Sequence, residues 1–138
     1  MPNNNTPKMN SLINNNCISY ELVEISWATR NEMKRSLRYP EIKIMDTTSK
    51  TNRHNRLLVY ICSVDSENKN VCSLTVLLYD KTRVSFDFTI KSLAWLHGTD
   101  YLQATVLFLS DGDDQIINSI KEHIELGVLN KKTRHRLC

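Results

Sequence analysis

The chain has 138 residues, of which 41% are apolar and 24% charged, and a formal net charge of +3. These values describe one ordinary domain, large enough to bury a core without disulfide or metal staples and too apolar to be disordered throughout. The charge is too mild to demand a polyanionic partner, and no apolar run approaches the ~18 residues of a membrane-spanning helix.

Residues 1–16 are rich in Asn, contain two Pro and show no apolar period, so a flexible arm is expected there. The arm lacks the apolar core of a secretory signal, so an intracellular chain is expected, in which the Asn4 glycosylation acceptor would carry no meaning. Ile18 to Trp27 reads as a helix or a strand, the alternation of Val23, Ile25 and Trp27 suiting a strand. Thr29 followed by Glu32 matches a capping box, which predicts a short helix from Arg30 to about Leu37, stopped ahead of Pro40. Glu41 to Met45 alternates again and reads as a strand, and the polar stretch from Asp46 to Asn55 reads as a loop.

Arg56 to Val64 and Val71 to Tyr79 are β-rich runs joined by the turn residues Asp65 to Asn70. In Arg83 to Leu93, the residues Val84, Phe86, Phe88 and Ile90 alternate strictly with Ser85, Asp87, Thr89 and Lys91, predicting a further strand with one wet face. His97 to Asp100 turns the chain, and Tyr101 to Leu109 reads as another strand. Ser110 with Asp113 gives an N-cap pattern, and Ile116, Ile120 and Ile124 lie on one stripe of a helix that Gly127 would close. The expected fold is therefore α+β and mainly antiparallel: a five- or six-stranded meander or small barrel with a C-terminal amphipathic helix. The arm at 1–16 precedes one globular domain at 17–129 and a basic tail at 130–138.

Asp111, Asp113, Gln115 and Glu122 fall at calcium-loop positions, but Ile116 stands where that loop needs Gly, so this segment is read as the start of the helix. The histidines and cysteines lack the pairwise spacing of a zinc site, so no metal is expected. No nucleophile motif or phosphate-binding Gly loop is present, which points away from an enzyme and gives no cofactor. An acid–base pair assembled only by the fold would leave no such trace. Cys17, Cys62, Cys72 and Cys138 form no CxxC pair. They read either as four free thiols or as two plus a Cys62–Cys72 bridge across the hairpin. Trp27 and Trp95 are expected in the core.

Three basic segments are the candidate binding residues: Arg30, Lys34, Arg35 and Arg38; Lys50, Arg53 and Arg56; and Lys131, Lys132, Arg134 and Arg136. Gathered by the fold they would bind phosphates or acidic lipids, and apart they are solvated faces.

The stretch VSFDFTI, HGTD, LQATVLFL, SDGDDQIINSIKEHI, from Val84 to Leu126, resembles the end of a PilZ domain, and Arg35 to Pro40 resembles that family's basic entry to its barrel. The resemblance implies a six-stranded barrel with a C-terminal helix. Many members of that family bind cyclic di-GMP through RxxxR and [D/N]xSxxG motifs. Here Arg30 is followed by Lys34, and no Gly follows Asp65 and Ser66, so no residue carries over as a ligand. What the resemblance then implies is a non-enzymatic regulatory adaptor acting through protein contacts. The alternative reading is a small basic self-assembling protein, like a viral matrix protein, that touches nucleic acid or anionic membrane, and a third is an enzyme with a site hidden in the fold.

Overall fold

The computed structural model describes residues 22–49 and 52–138; the expected arm, Asn4, Cys17 and Lys50 lie outside the described residues. The elements run β1 (Ile25–Trp27), α1 (Arg30–Ser36), β2 (Ile42–Thr48), β3 (Leu57–Val64), β4 (Asn70–Leu78), α2 (Arg83–His97), α3 (Thr99–Gln103), β5 (Leu107–Ser110), α4 (Asp114–Glu125) and β6 (Arg134–Leu137). The capping box forms as its spacing dictates. The Thr29 hydroxyl accepts from the Glu32 amide at 3.2 Å, and the Glu32 carboxylate accepts from the Thr29 amide at 2.7 Å. The β3–β4 turn is closed by the Asp65 carboxylate, which accepts from the amides of Glu67 and Lys69, with Asn68 in the left-handed region at φ 59°.

The six strands form one open sheet in the order β1-β4-β3-β2-β5-β6. β1, β4, β3 and β2 pair antiparallel, but β5 lies parallel to β2, and β6 parallel to β5. The chain is α+β, as expected, yet the sheet is mixed and does not close into a barrel. A strand that returns parallel needs a long crossover, and α2 and α3 supply it. Helix α4 is followed by β6, so it does not close the fold, and β6 lies within the segment expected to be a basic tail.

The largest departure from expectation is at Arg83–His97, which is helix rather than strand. Over Val84 to Ile90 a period of two and a period of 3.6 share positions: Phe86 and Ile90 satisfy both. The longer window separates them, because Phe86, Ile90, Leu93 and His97 are buried at steps of four, three and four while Val84 is 74% exposed. The Thr82 hydroxyl caps this helix by accepting from the Ser85 amide at 3.3 Å. Tyr101 to Leu109 is likewise split between α3 and β5. Trp95, expected in the core, is 84% exposed on the outer side of α2, and Trp27 is 43% exposed.

One sheet face carries the core. Met45, Leu57, Val59, Ile61, Leu74, Val76, Leu78 and Phe108 pack there against Phe86, Ile90 and Leu93 of α2 and Ile116 and Ile120 of α4. The other face, with Ile42, Ile44, Leu58, Cys62, Leu107 and Leu109, is only half-buried.

At the amino end of β2 the core face becomes polar. Lys43 is fully buried, and its ammonium donates to Ser63 Oγ at 2.8 Å and to the Pro40 carbonyl at 3.0 Å, with Nζ 4.0 Å from the centre of the Tyr101 ring. Ser36, Ser63, Ser73 and Tyr101 share hydrogen bonds around it. Burial pushes the lysine down from 10.5 to about 7, only partly opposed by the charge of Glu41. The unfolded chain binds this proton up to about pH 10, whereas the folded chain gives it up near 7, so folding stability rises with pH across that window. Urea unfolding of the full chain between pH 7 and pH 10 is expected to show this rise at up to ~1.4 kcal/mol per pH unit, and Lys43→Met to flatten it. An unchanged slope in the variant would assign the pH dependence elsewhere.

Candidate functional site

The parallel pairing of β2 and β5 fixes the site. Its register aligns Ile42 with Leu107, Ile44 with Leu109 and Met45 with Ser110. Asp46 and Asp111 each lie one residue beyond the last of these pairs, at the carboxyl ends of neighbouring strands. The Asp111 carboxylate reaches across to β2, where Thr47 Oγ1 donates to Oδ2 at 2.9 Å, and its other oxygen accepts from the Asp113 amide at 3.2 Å. Asp46 is exposed and Asp111 half-buried. Among the described residues neither carboxylate is in an ion pair. In the sheet order β3-β2-β5, the chain leaves β2 to one side and returns on the other, and the crevice outside such a reversal is where open sheets bind ligands.

The segment after β5 bends over this end. Asp113 caps α4 by accepting from the Gln115 amide at 2.9 Å, which confirms the start of a helix near Asp113 rather than a calcium loop. On the core side, Ser110 is held by His135 of β6, Nε2 to Oγ 2.8 Å. Burial moves this histidine below its usual range, aided by the charge of Lys121. Strand β6 therefore buttresses the residue that precedes Asp111.

The three expected basic segments do not converge. Arg30, Lys34, Arg35 and Arg38 lie on or just after α1, and Arg35 is close enough to the β3–β4 turn to lower the titration of Asp65, beneath the larger effect of the backbone amides there. That turn stands at the amino end of β2, the end remote from Asp46. Arg53 and Arg56 belong to the β2–β3 connection at the near end. Arg53 is exposed, while Arg56 donates to the Val23 carbonyl at 2.7 Å and lies over the Tyr79 ring at 4.7 Å.

Lys131 and Lys132 are exposed in the turn before β6, where Asn130 Oδ1 accepts from the Lys132 amide at 2.9 Å. The parallel register sets Arg134 beside Leu107 and Arg136 beside Leu109, so both arginines share the half-buried face with these residues and with Ile44 and Asp46. Val106, Leu107, Lys132, Arg134 and Arg136 line one shallow depression there. At about 3.3 Å per residue, Arg136 lies about 7 Å along the sheet from the level of Asp111.

Neither aspartate stands out in the sequence as a site residue, since Asp46 falls in an expected loop and Asp111 at an expected helix start. The signal present is that two apolar β runs, EIKIM and TVLFLS, each end in an aspartate. Among the described residues no group of three or more His, Cys, Asp or Glu side chains could hold a metal ion by itself, and no helix is long and apolar enough to cross a membrane.

Neither a curated protein nor a solved structure matches the chain significantly. The family model of the MULE transposase domain matches residues 42–138, which begins at β2 and takes in every later element. This match overturns the PilZ resemblance and the adaptor function drawn from it, and it lends no support to the self-assembling matrix-like alternative. The physical reason is visible in the stretch that carried the resemblance: the strand and turn read at Val84 to Asp100 are the helix pair α2 and α3. With more than half of its length matched, the chain belongs to the MULE transposase domain family.

Proposed function

We propose that the chain acts on DNA, with Asp46 and Asp111 as the carboxylates of a transposase-type phosphoryl-transfer centre. The observation that carries this reading is the placement of the two aspartates at the carboxyl ends of adjacent parallel strands, at the reversal of the strand order. The expectation of no enzyme rests on the absence of contiguous motifs, and a pair assembled by strand pairing leaves none. The donor set fits a hard divalent cation: it is all oxygen, and neither carboxylate is paired to a cation among the described residues. Mg²⁺ is commonly held by one or two carboxylates together with substrate phosphates and water, so two aspartates suffice as the protein's share. Bound there, the cation would neutralise charge developing on a transferring phosphoryl group. The protein's own residues hold the site open: Thr47 and the Asp113 amide orient the Asp111 carboxylate, and Ser110 with His135 fixes the strand end beneath it.

Lys132, Arg134 and Arg136 bind the DNA backbone in this proposal. They face the same side as Asp46, and a phosphate chain lying along the depression runs towards that carboxylate. The α1 cluster lies at the other end and takes no part.

Two outcomes are expected. Mn²⁺ titrated into the full chain with a short DNA duplex, read by water-proton relaxation, binds at least about tenfold more weakly in Asp46→Asn and in Asp111→Asn, a loss of ~1.4 kcal/mol or more. Unchanged affinity in both variants would remove the cation site. Replacing Lys132, Arg134 and Arg136 by Gln lowers the slope of log affinity against log salt for duplex DNA by ~0.9 for each phosphate that is no longer neutralised. The equivalent change at Arg30, Lys34 and Arg35 leaves the slope unaltered. The opposite pattern would move the backbone path to α1.

A further inference from the structure

Cys62 and Cys72 are Cα partners across β3 and β4, at the point where the register shifts between Ile61 and Cys62. Both side chains are free and half-buried. The two thiols influence each other's titration, and Cys72 Sγ is 3.6 Å from Thr75 Oγ1. Opposite residues of an antiparallel pair have Cα atoms roughly 4.5–5.5 Å apart, inside the 4.4–6.8 Å that a disulfide spans. Facing positions of this kind bring two cysteines within the reach of a bridge. The pair sits on the half-buried sheet face, where solutes reach it, and Glu32 of α1 stands beside it.

We propose that Cys62 and Cys72 form a redox-modification site that closes reversibly into a cross-strand disulfide when the chain meets a small disulfide oxidant such as oxidised glutathione. The two thiols are not equivalent. The interaction between the thiols draws Cys72 down, with help from Thr75 and against burial and Glu32, and pushes Cys62 up, with burial and the nearby charge of Asp46 adding to it. Cys72, whose sulfur can accept from the Thr75 hydroxyl 3.6 Å away, is the attacking thiolate in this proposal. Its sulfur displaces one glutathione thiolate and forms a mixed disulfide. Cys62 then loses its proton and attacks the Cys72 sulfur of that mixed disulfide, and the second glutathione thiolate leaves. The two cysteines give up two electrons and two protons, and the oxidant becomes two thiols. Because β3 and β4 are already paired, the bridge locks the hairpin at its irregular point without altering the fold.

The test equilibrates the full chain in glutathione redox buffers, quenches with a thiol-blocking reagent, and maps peptides by mass spectrometry. Expected are a cross-linked peptide joining Cys62 and Cys72, full recovery on reduction, a higher Tm in the bridged form, and two thiols left at Cys17 and Cys138. In Cys62→Ser the reaction stops at the first step, and glutathione accumulates on Cys72. In Cys72→Ser the modification of Cys62 is much slower than that of Cys72. Since Cys→Ser variants at half-buried positions can lower stability, the wild-type peptide map decides by itself. Stable mixed disulfides at both positions without an internal bridge, or bridges that run through Cys17 or Cys138, would overturn the proposal.

Discussion

The parallel contact between β2 and β5 is the constraint on which the other elements depend. It begins where the amides of Val106 and Leu107 both donate to the Glu41 carbonyl, at 2.8 and 3.1 Å, and it continues to the pair Met45 and Ser110. An antiparallel return would have left Asp111 at the end of the sheet away from Asp46. A parallel one requires the chain to travel the length of the sheet again, and α2 and α3 make that journey while covering the core face. Strand β6 follows the same direction after α4, so the two last strands present their side chains in step with those of β2. The carboxylates, the strand end that supports them and the arginines beside them are consequences of this one direction of travel.

Local chemistry is legible where the signal is complete within a few residues. Thr29 and Glu32 define both ends of a capping box, and the runs around Asp65 to Asn70 define a hairpin, so α1, β3 and β4 fall close to where their residues place them. The helix α2 is hidden because Val84 to Ile90 satisfies two periods at once; the buried His97 and Leu93, beyond that window, decide it. The site is hidden for a different reason. Thr47 and Asp111 meet across 64 residues of chain, and no local pattern records which strand lies beside which. The basic segments are visible as composition, but only the register of β6 tells that Arg134 and Arg136 share a face with Asp46 while Arg35 stands at the far end.

Strand β2 also separates opposite charges by its pleat. Lys43 points into the core and is satisfied by hydroxyls, carbonyls and an aromatic ring, with no carboxylate partner among the described residues. Asp46, three residues on, points to the other face. Had the lysine faced the same side, it would have neutralised the aspartate and competed with any cation there. Burying Lys43 in a polar pocket keeps its charge away from the carboxylate end, and its lowered proton affinity is the cost of that arrangement.

Strand β6 forms one margin of the sheet, and its outer backbone amides and carbonyls have no strand beyond them among the described residues. Such a margin is a template for adding a strand from another molecule, the first step of uncontrolled aggregation. Four residues long and carrying Arg134 and Arg136 outward, β6 resists this: a second copy approaching in register would bring like charges together. The same guanidinium groups proposed to hold a phosphate chain thus also guard the open margin of the sheet, so one pair of side chains would serve both ends.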